Sequence, residues 1–352
     1  MDSDIPDIKS KWMVTTNTFM NKGLCGLQNL GNTCFMNSAI QCLAHTEPLV
    51  SLFLSNNYTD DLKKGSKELD LVESYNEILR YIWYKNAVLS PRKFLIISQR
   101  LAIEKNILQF AGFAQNDSVE YLLFLIDSLH QGLSYRATMT IHGEAKTERD
   151  KHALKAYEMW EKFFKNEYSI LVKLFYGQFL TKVETLNPDD KTIKETNFLY
   201  EPFNCLLLDI PTNVERTITI YDCLNMYCNV EDLCNNNKRK RTQFWKLPEI
   251  LIISFKRFNV SNGGGEKVED EILFPTDNLD LSRYVNGYNS HTYKYDLYAV
   301  IHHTGNTNGG HYFASIRNAN NNWYVLNDTQ IAQCDTDFLK RFAYCLFYRK
   351  HS

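Results

Sequence analysis

Gly26-Leu27-Gln28-Asn29-Leu30-Gly31-Asn32-Thr33-Cys34-Phe35-Met36-Asn37-Ser38-Ala39-Ile40-Gln41-Cys42-Leu43 passes from a turn into a helix within a few residues. Gly31-Asn32-Thr33 is turn-prone and able to cap a helix. From Cys34 to Leu43 there is no Pro or Gly, and Phe35, Ala39, Cys42 and Leu43 share one helical face. Cys34 therefore stands in the first turn of a helix. Unpaired N–H groups and the positive end of the helix dipole favour a thiolate there. The same donors suit an oxyanion formed when that sulfur attacks a carbonyl, and Asn29, five residues earlier, can add a side-chain donor.

Leu71–Tyr84 and Ser118–Leu133 carry the same periodicity, with Val119, Leu122, Leu123, Ile126 and Leu129 forming the second stripe. Ser134 to Tyr157 is polar and charged and reads as a loop or an exposed connection. The chain then changes character. Phe203–Ile210, Ile250–Phe255, Tyr295–Ile301, Tyr312–Ile316 and Cys345–Tyr348 are short apolar or aromatic runs separated by Gly, Asn, Asp and Pro, the pattern of strands. Helices first and strands later imply an α+β protein with segregated layers, not a doubly wound sheet. Lys238-Arg239-Lys240-Arg241 reads as a solvated turn, and Gly263-Gly264-Gly265 as a flexible turn, since no Lys-Ser or Lys-Thr comes after it.

The totals exclude classes without naming a function. The 352 residues carry 39 Lys+Arg against 41 Asp+Glu, a net charge of −2, with 44% hydrophobic residues. Nucleic acid is not expected as a partner, because phosphate binding needs a basic surplus. The longest apolar runs are too short to span a bilayer, so no membrane partner is expected. The acidic start Met1-Asp2-Ser3-Asp4 lacks the apolar core of a secretory signal. Nine scattered cysteines are odd in number and form no disulfide framework. These features predict an intracellular, reducing setting, in the cytoplasm or the nucleus, where a special cysteine is catalytic or metal-bound.

A cysteine nucleophile needs a base, and the base needs an orienting group. Gly309-Gly310-His311-Tyr312-Phe313 places two glycines before a histidine that would begin a strand. Asn327 lies sixteen positions after His311, and a hairpin through Asn318–Asn322 brings the two side by side. Asn327 can accept from one imidazole nitrogen and leave the other to face the thiol; Asp328 can do the same work or assist the oxyanion through water.

Gly26–Ser38 closely resembles the cysteine box of the ubiquitin-specific proteases. His303-Thr304-Gly305 with Gly309-Gly310-His311-Tyr312, then Trp323–Asp328, resembles their histidine box. Gln115-Asn116-Asp117-Ser118-Val119-Glu120-Tyr121-Leu122, Leu247–Ile252 with Lys256-Arg257-Phe258, Phe274-Pro275 and Ala343–Tyr348 are similar to landmarks that recur in this order. The resemblance runs from about Leu24 to Tyr348. It implies a papain-like fold with a helical thumb (about 24–173), fingers (about 174–200 and 225–247) and a palm (about 201–224 and 248–350), after a short extension at 1–23 and with almost nothing appended. It makes Cys34 the nucleophile, His311 the general base, Asn327 the third triad member, Asn29 the oxyanion donor and Asp328 their acidic neighbour. Asp117 and Glu120 would face the basic tail of ubiquitin, with His303, Gly309, Gly310 and Tyr312 around the channel for its Gly-Gly end. Ubiquitin and ubiquitinated proteins are the implied partners of a monomeric enzyme. A non-cleaving ubiquitin-binding module and a protease for another ubiquitin-like modifier are the alternatives.

The chain departs from that family at the fingertips. Many relatives hold one zinc there with two Cys-x-x-Cys pairs. The first would fall near Thr185 and Pro188, and no cysteine stands between Cys234 and Leu247 for the second. Cys223, Cys228 and Cys234 have spacings that fit no zinc knuckle. No metal and no cofactor are expected, and the fingers would be held by strand pairing and apolar packing.

Overall fold

The computed structural model describes residues 22–212, 215–233, 237–259, 266–306 and 309–351. Gly263–Gly265 and Cys234 lie outside them. The chain divides into two compact units, one of residues 1–134, 260–267 and 297–347, the other of 135–259, 268–296 and 348–352.

In the first unit the three expected helices are α1 (Cys34–Ala44), α2 (Leu69–Tyr84) and α4 (Ser118–Gly132), with α3 (Arg92–Glu104) between the last two. Every residue of α1 is buried, Asn37, Ser38 and Gln41 included, so it is a central helix and not the one-sided one its spacing suggests. Its side-chain donors find partners inside the fold, while among the described residues Asn37 Oδ1 and Gln41 Oε1 accept no hydrogen bond. The Gln41 amide donates to the Cys25 carbonyl at 2.7 Å, and the Ser38 and Ser118 hydroxyls lie 2.9 Å apart, tying α1 to α4. Asp117 caps α4, its carboxylate accepting from the Val119 and Glu120 N–H groups at 2.7 and 2.9 Å.

In the second unit the predicted loop at Ser134–Tyr157 is overturned, since α5 (Glu148–Phe164) begins inside it. Thr147 and Asp150 form a capping box, and Ala153 and Ala156 pack with Leu180, Tyr200 and Trp245. Charge on the exposed face of α5 hides this narrow buried stripe. The strands longer than two residues are β1 (Gly177–Leu186), β2 (Ile193–Leu199), β3 (Leu206–Leu208), β4 (Val230–Leu233), β5 (Lys238–Lys246) and β6 (Ile250–Phe255). The single run at Phe203–Ile210 is broken, Pro202–Phe203 pairing with β1 and β3 pairing in parallel with β6. The order β2-β1-β5-β4 puts Lys238–Arg241 in a strand of a sheet, which overturns the turn, although none of the four is buried. Acidic neighbours explain it: Arg239 sits opposite Glu184 on one side and Asp232 on the other, and Glu184 is buried between Lys182 and Arg239. Those two cations hold its carboxyl below the usual range. Thr185 and Leu186 end β1 in this sheet, and among the described residues no group of three or more His, Cys, Asp or Glu is arranged for a metal.

The chain returns to the first unit through β7 (Lys294–Asn306), β8 (Gly309–Arg317), β9 (Trp323–Asn327), β10 (Gln330–Cys334) and β11 (Ala343–Lys350). Their order is β10-β9-β8-β7-β11, with the expected hairpin between β8 and β9. The β8–β9 turn is Asn318–Asn322, with Asn321 at φ 63°. Among the described residues no helix is long and apolar enough to cross a membrane.

Candidate active site

Cys34 is the first residue of α1 and is 4% exposed. The turn before it is wound around one side chain. Asn29 Oδ1 accepts from the Gly31 and Thr33 N–H groups, both at 3.1 Å, and from the Thr33 hydroxyl at 3.3 Å. Gly31 (φ 106°) and Asn32 (φ 52°) supply the left-handed backbone the turn needs. Thr33 does not cap α1 with its side chain, as the sequence suggested; its hydroxyl faces back and accepts from the Leu30 N–H at 2.9 Å. The first N–H groups of the helix thus stay unclaimed by a cap beside the sulfur.

His311 is the third residue of β8. Ala314 lies opposite Leu326, so Asn327 falls diagonally across from His311 on the same face of the sheet. The His311 Nε2–H donates to Asn327 Oδ1 at 2.6 Å, leaving Nδ1 for the sulfur. His311 is raised from 6.5 to about 9, first by the hydrogen bond with Cys34, then by Asn327, by the charge of the Cys34 sulfur and by that of Asp328, against the opposing effect of burial. The shift favours the protonated ring.

Asp328 occupies the two-residue turn between β9 and β10 at φ 50°. One carboxylate oxygen accepts from Asn29 Nδ2 at 3.0 Å and the other from Asn37 Nδ2 at 2.8 Å, while its carbonyl accepts from the Leu27 N–H at 2.8 Å. Oδ2 lies 4.0 Å from His311 Nε2. Asn327, not Asp328, is thus the hydrogen-bonded partner of the imidazole, and Asp328 fixes Asn29. The second hydrogen of Asn29 Nδ2 remains for an oxyanion.

The six flanking residues divide. Glu120 is exposed and accepts from Gln109 at 3.0 Å. Asp117 is committed within the chain, as cap of α4 and as acceptor for the Tyr312 hydroxyl at 3.3 Å and for that of Tyr344. Tyr312 and His303 are buried and face each other with ring centroids 4.5 Å apart. Burial, then the charges of Lys267 and His311, lower His303 to about 4, which keeps it neutral. Gly310 is required by His303, since a Cβ there would lie 2.2 Å from its Nε2. Gly309 sits at the end of the hairpin with Gln115 Oε1 3.7 Å from where its Cβ would be.

Four residues near the site were not assigned from the sequence. Asn37 lies one helical turn after Cys34 and anchors Asp328; a polar residue in an otherwise largely apolar helix was its signal. Gln115 pairs with the Gly310 backbone, Lys267 Nζ donates to the His303 and Gly305 carbonyls, both at 2.9 Å, and Tyr344 meets Asp117. Nothing in the spacing of the last three marks them.

Residues 25–348 match the family described as ubiquitin carboxyl-terminal hydrolase. Human ubiquitin carboxyl-terminal hydrolase 2 is 33% identical over 347 residues, covering 93% of this chain and 55% of its own length. Ubiquitin carboxyl-terminal hydrolase 4 of Saccharomyces cerevisiae is 30% identical, covering 92% of this chain and 39% of its own. The chain spans about half or less of these curated relatives. Among solved structures, a chain of the yeast SAGA DUB module superposes with a TM-score of 0.69 at 25% identity, covering 95% of this chain and 70% of that one. A chain of the SAGA Ubp8/Sgf11/Sus1/Sgf73 DUB module bound to ubiquitin aldehyde gives 0.70 at 23%, covering 97% and 74%. The chain belongs to the ubiquitin carboxyl-terminal hydrolase family, in its ubiquitin-specific protease branch, and has the papain-like α+β fold of that catalytic domain.

Proposed function

We propose that this chain is a thiol-dependent deubiquitinase that cleaves the peptide or isopeptide bond after the C-terminal Gly-Gly of ubiquitin. The observation that carries the reading is the line Cys34–His311–Asn327, in which a buried sulfur meets an imidazole held by an amide oxygen. The matched family and the relatives' names support ubiquitin as the substrate.

In this reading the Cys34 thiolate attacks the scissile carbonyl. The tetrahedral oxyanion is met by the first N–H groups of α1 and the remaining Asn29 Nδ2 hydrogen. His311 gives its Nδ1 proton to the leaving lysine amine, and the C–N bond breaks to leave a thioester. Neutral His311 then takes a proton from water, which attacks the thioester and releases the ubiquitin carboxylate and the thiol. Glu120 offers its charge to the basic tail, and Gly309 and Gly310 line the passage of the Gly-Gly end. An intracellular site, where the thiol stays reduced, and a monomeric free chain belong to the same proposal.

Cys34→Ala tests it. Hydrolysis of a ubiquitin C-terminal amide is expected to vanish while ubiquitin binding persists, and a ubiquitin C-terminal electrophile is expected to label only the wild-type chain. A Cys34→Ala chain that still turned over would end the assignment. Parallel reporters of ubiquitin and ubiquitin-like proteins fix the modifier.

A further inference from the structure

The β7–β8 ladder fixes which way each backbone group near His311 points. The His303 N–H donates to Phe342, away from β8, so the His303–Tyr312 pair exchanges no backbone hydrogen bond. Antiparallel pairs alternate, so the Gly305–Gly310 pair exchanges none either. The N–H and C=O of Gly310 therefore face the opposite edge of β8. There β9 pairs only with residues 314–317 and leaves position 310 uncovered.

The Gln115 side chain covers it. Its Nε2 donates to the Gly310 carbonyl at 3.3 Å, and its Oε1 accepts from the Gly310 N–H at 3.3 Å. A primary amide carries donor and acceptor side by side, the set that a neighbouring strand residue would offer. Two residues on, Asp117 accepts from Tyr312. The residues on both sides of His311 are thus held from one three-residue stretch. That stretch leads into α4, where the Ser118 hydroxyl donates to the Phe35 carbonyl at 2.9 Å, next to Cys34.

We propose that Gln115 is a positioning residue for His311: it ties the strand that carries the imidazole to the helix that carries the sulfur. The proposal rests on the deubiquitinase reading for its kinetics but not for its geometry. Gln115 is exposed, so its removal leaves the core intact.

The test is Gln115→Ala in the full chain, read three ways. With a ubiquitin amide reporter, kcat is expected to fall about tenfold, as small misplacements of catalytic groups do, with KM changed by less than about twofold. The NMR titration of the His311 ring, which needs no substrate, is expected to move down from about 9 toward 6.5 as the contact with Cys34 loosens. Melting temperature should stay at the wild-type value. Gln115→Glu, which keeps the acceptor but cannot donate to Gly310, should give an intermediate kcat. A raised KM with unchanged kcat would make Gln115 a substrate contact and overturn the proposal, as would an unmoved His311 titration. If no ubiquitin reporter is turned over even by wild type, the functional reading fails while the titration still decides the role of Gln115.

Discussion

The two sides of the catalytic pair are built on opposite principles. The Cys34 side is made of polar side chains that satisfy one another: Asn29 organises the turn, Asp328 holds Asn29, and Asn37 holds Asp328. The His311 side, beyond its bonds to Asn327 and Gln115, depends on absences. Gly305 and Gly310 let backbone and rings approach where any Cβ would collide, at 2.5 Å from the Gly309 carbonyl in one case and 2.2 Å from His303 in the other. The first construction fixes charge and hydrogen-bond direction; the second fixes distance. A substitution on the first side should therefore change electrostatics in steps, whereas one on the second should displace the base outright.

Gly310→Ala is expected to give the largest effect short of losing the nucleophile. The new Cβ must push β8 or His303 aside, and a displacement of about 1 Å at the base costs about 10²-fold or more in kcat/KM. A loss under about threefold would show that distance on this side is soft. Asn327→Ala leaves the strand in place but frees the imidazole; a loss of about 10- to 100-fold in kcat is expected, measured at saturating substrate.

Asp328→Asn removes the charge, and with it one of the two acceptors that hold Asn29 and Asn37. The folded value of His311 lies above its unfolded one, so the stabilisation from the protonated ring is fully present below pH 6.5 and is lost as pH rises through about 9. Activity that needs the imidazolium should decline along the same limb. Removing the Asp328 charge lowers that limb, and a kcat/KM profile unmoved at its alkaline end would disprove the part assigned to Asp328. Thr147→Ala sets the lower bound. It deletes the cap of α5, in the unit that does not hold Cys34, and should cost about 1 kcal/mol of stability by denaturant titration with kcat unchanged.

Much of this was legible in the sequence alone. The turn and helix around Cys34, the Gly-Gly-His strand and the hairpin to Asn327 all sit in short local patterns, because each is set by residues near in sequence. The rest was long-range or disguised. Gln115, Lys267 and Tyr344 act across 195, 36 and 227 residues, which no spacing encodes. The strand at Lys238–Lys246 hid because its cations are answered by Glu184 and Asp232 on other strands, and α5 because its charged face outweighs Ala153 and Ala156. Asp117 carries more than its motif declares: its carboxylate also caps a helix N-terminus and accepts from two tyrosines, partners that only the fold brings to it.

The Asn29–Asp328 bond spans 299 residues, and the backbone bond from Leu27 to Asp328 spans more. Gly26 also lies against Thr329, a Cβ there falling 2.7 Å from its carbonyl. During synthesis the ribosome delivers Cys34, Asn29 and Asn37 early and Asp328, which ties the two amides together, late. Until the Trp323–Cys334 hairpin has emerged and docked, the sulfur has neither a base held in place nor a fixed oxyanion donor. A nascent chain that ends earlier therefore lacks the arrangement on which the proposed deubiquitinase reading rests. A product of translation cut short before that hairpin has Cys34, Asn29 and Asn37 but neither Asn327 nor Asp328 to complete the site.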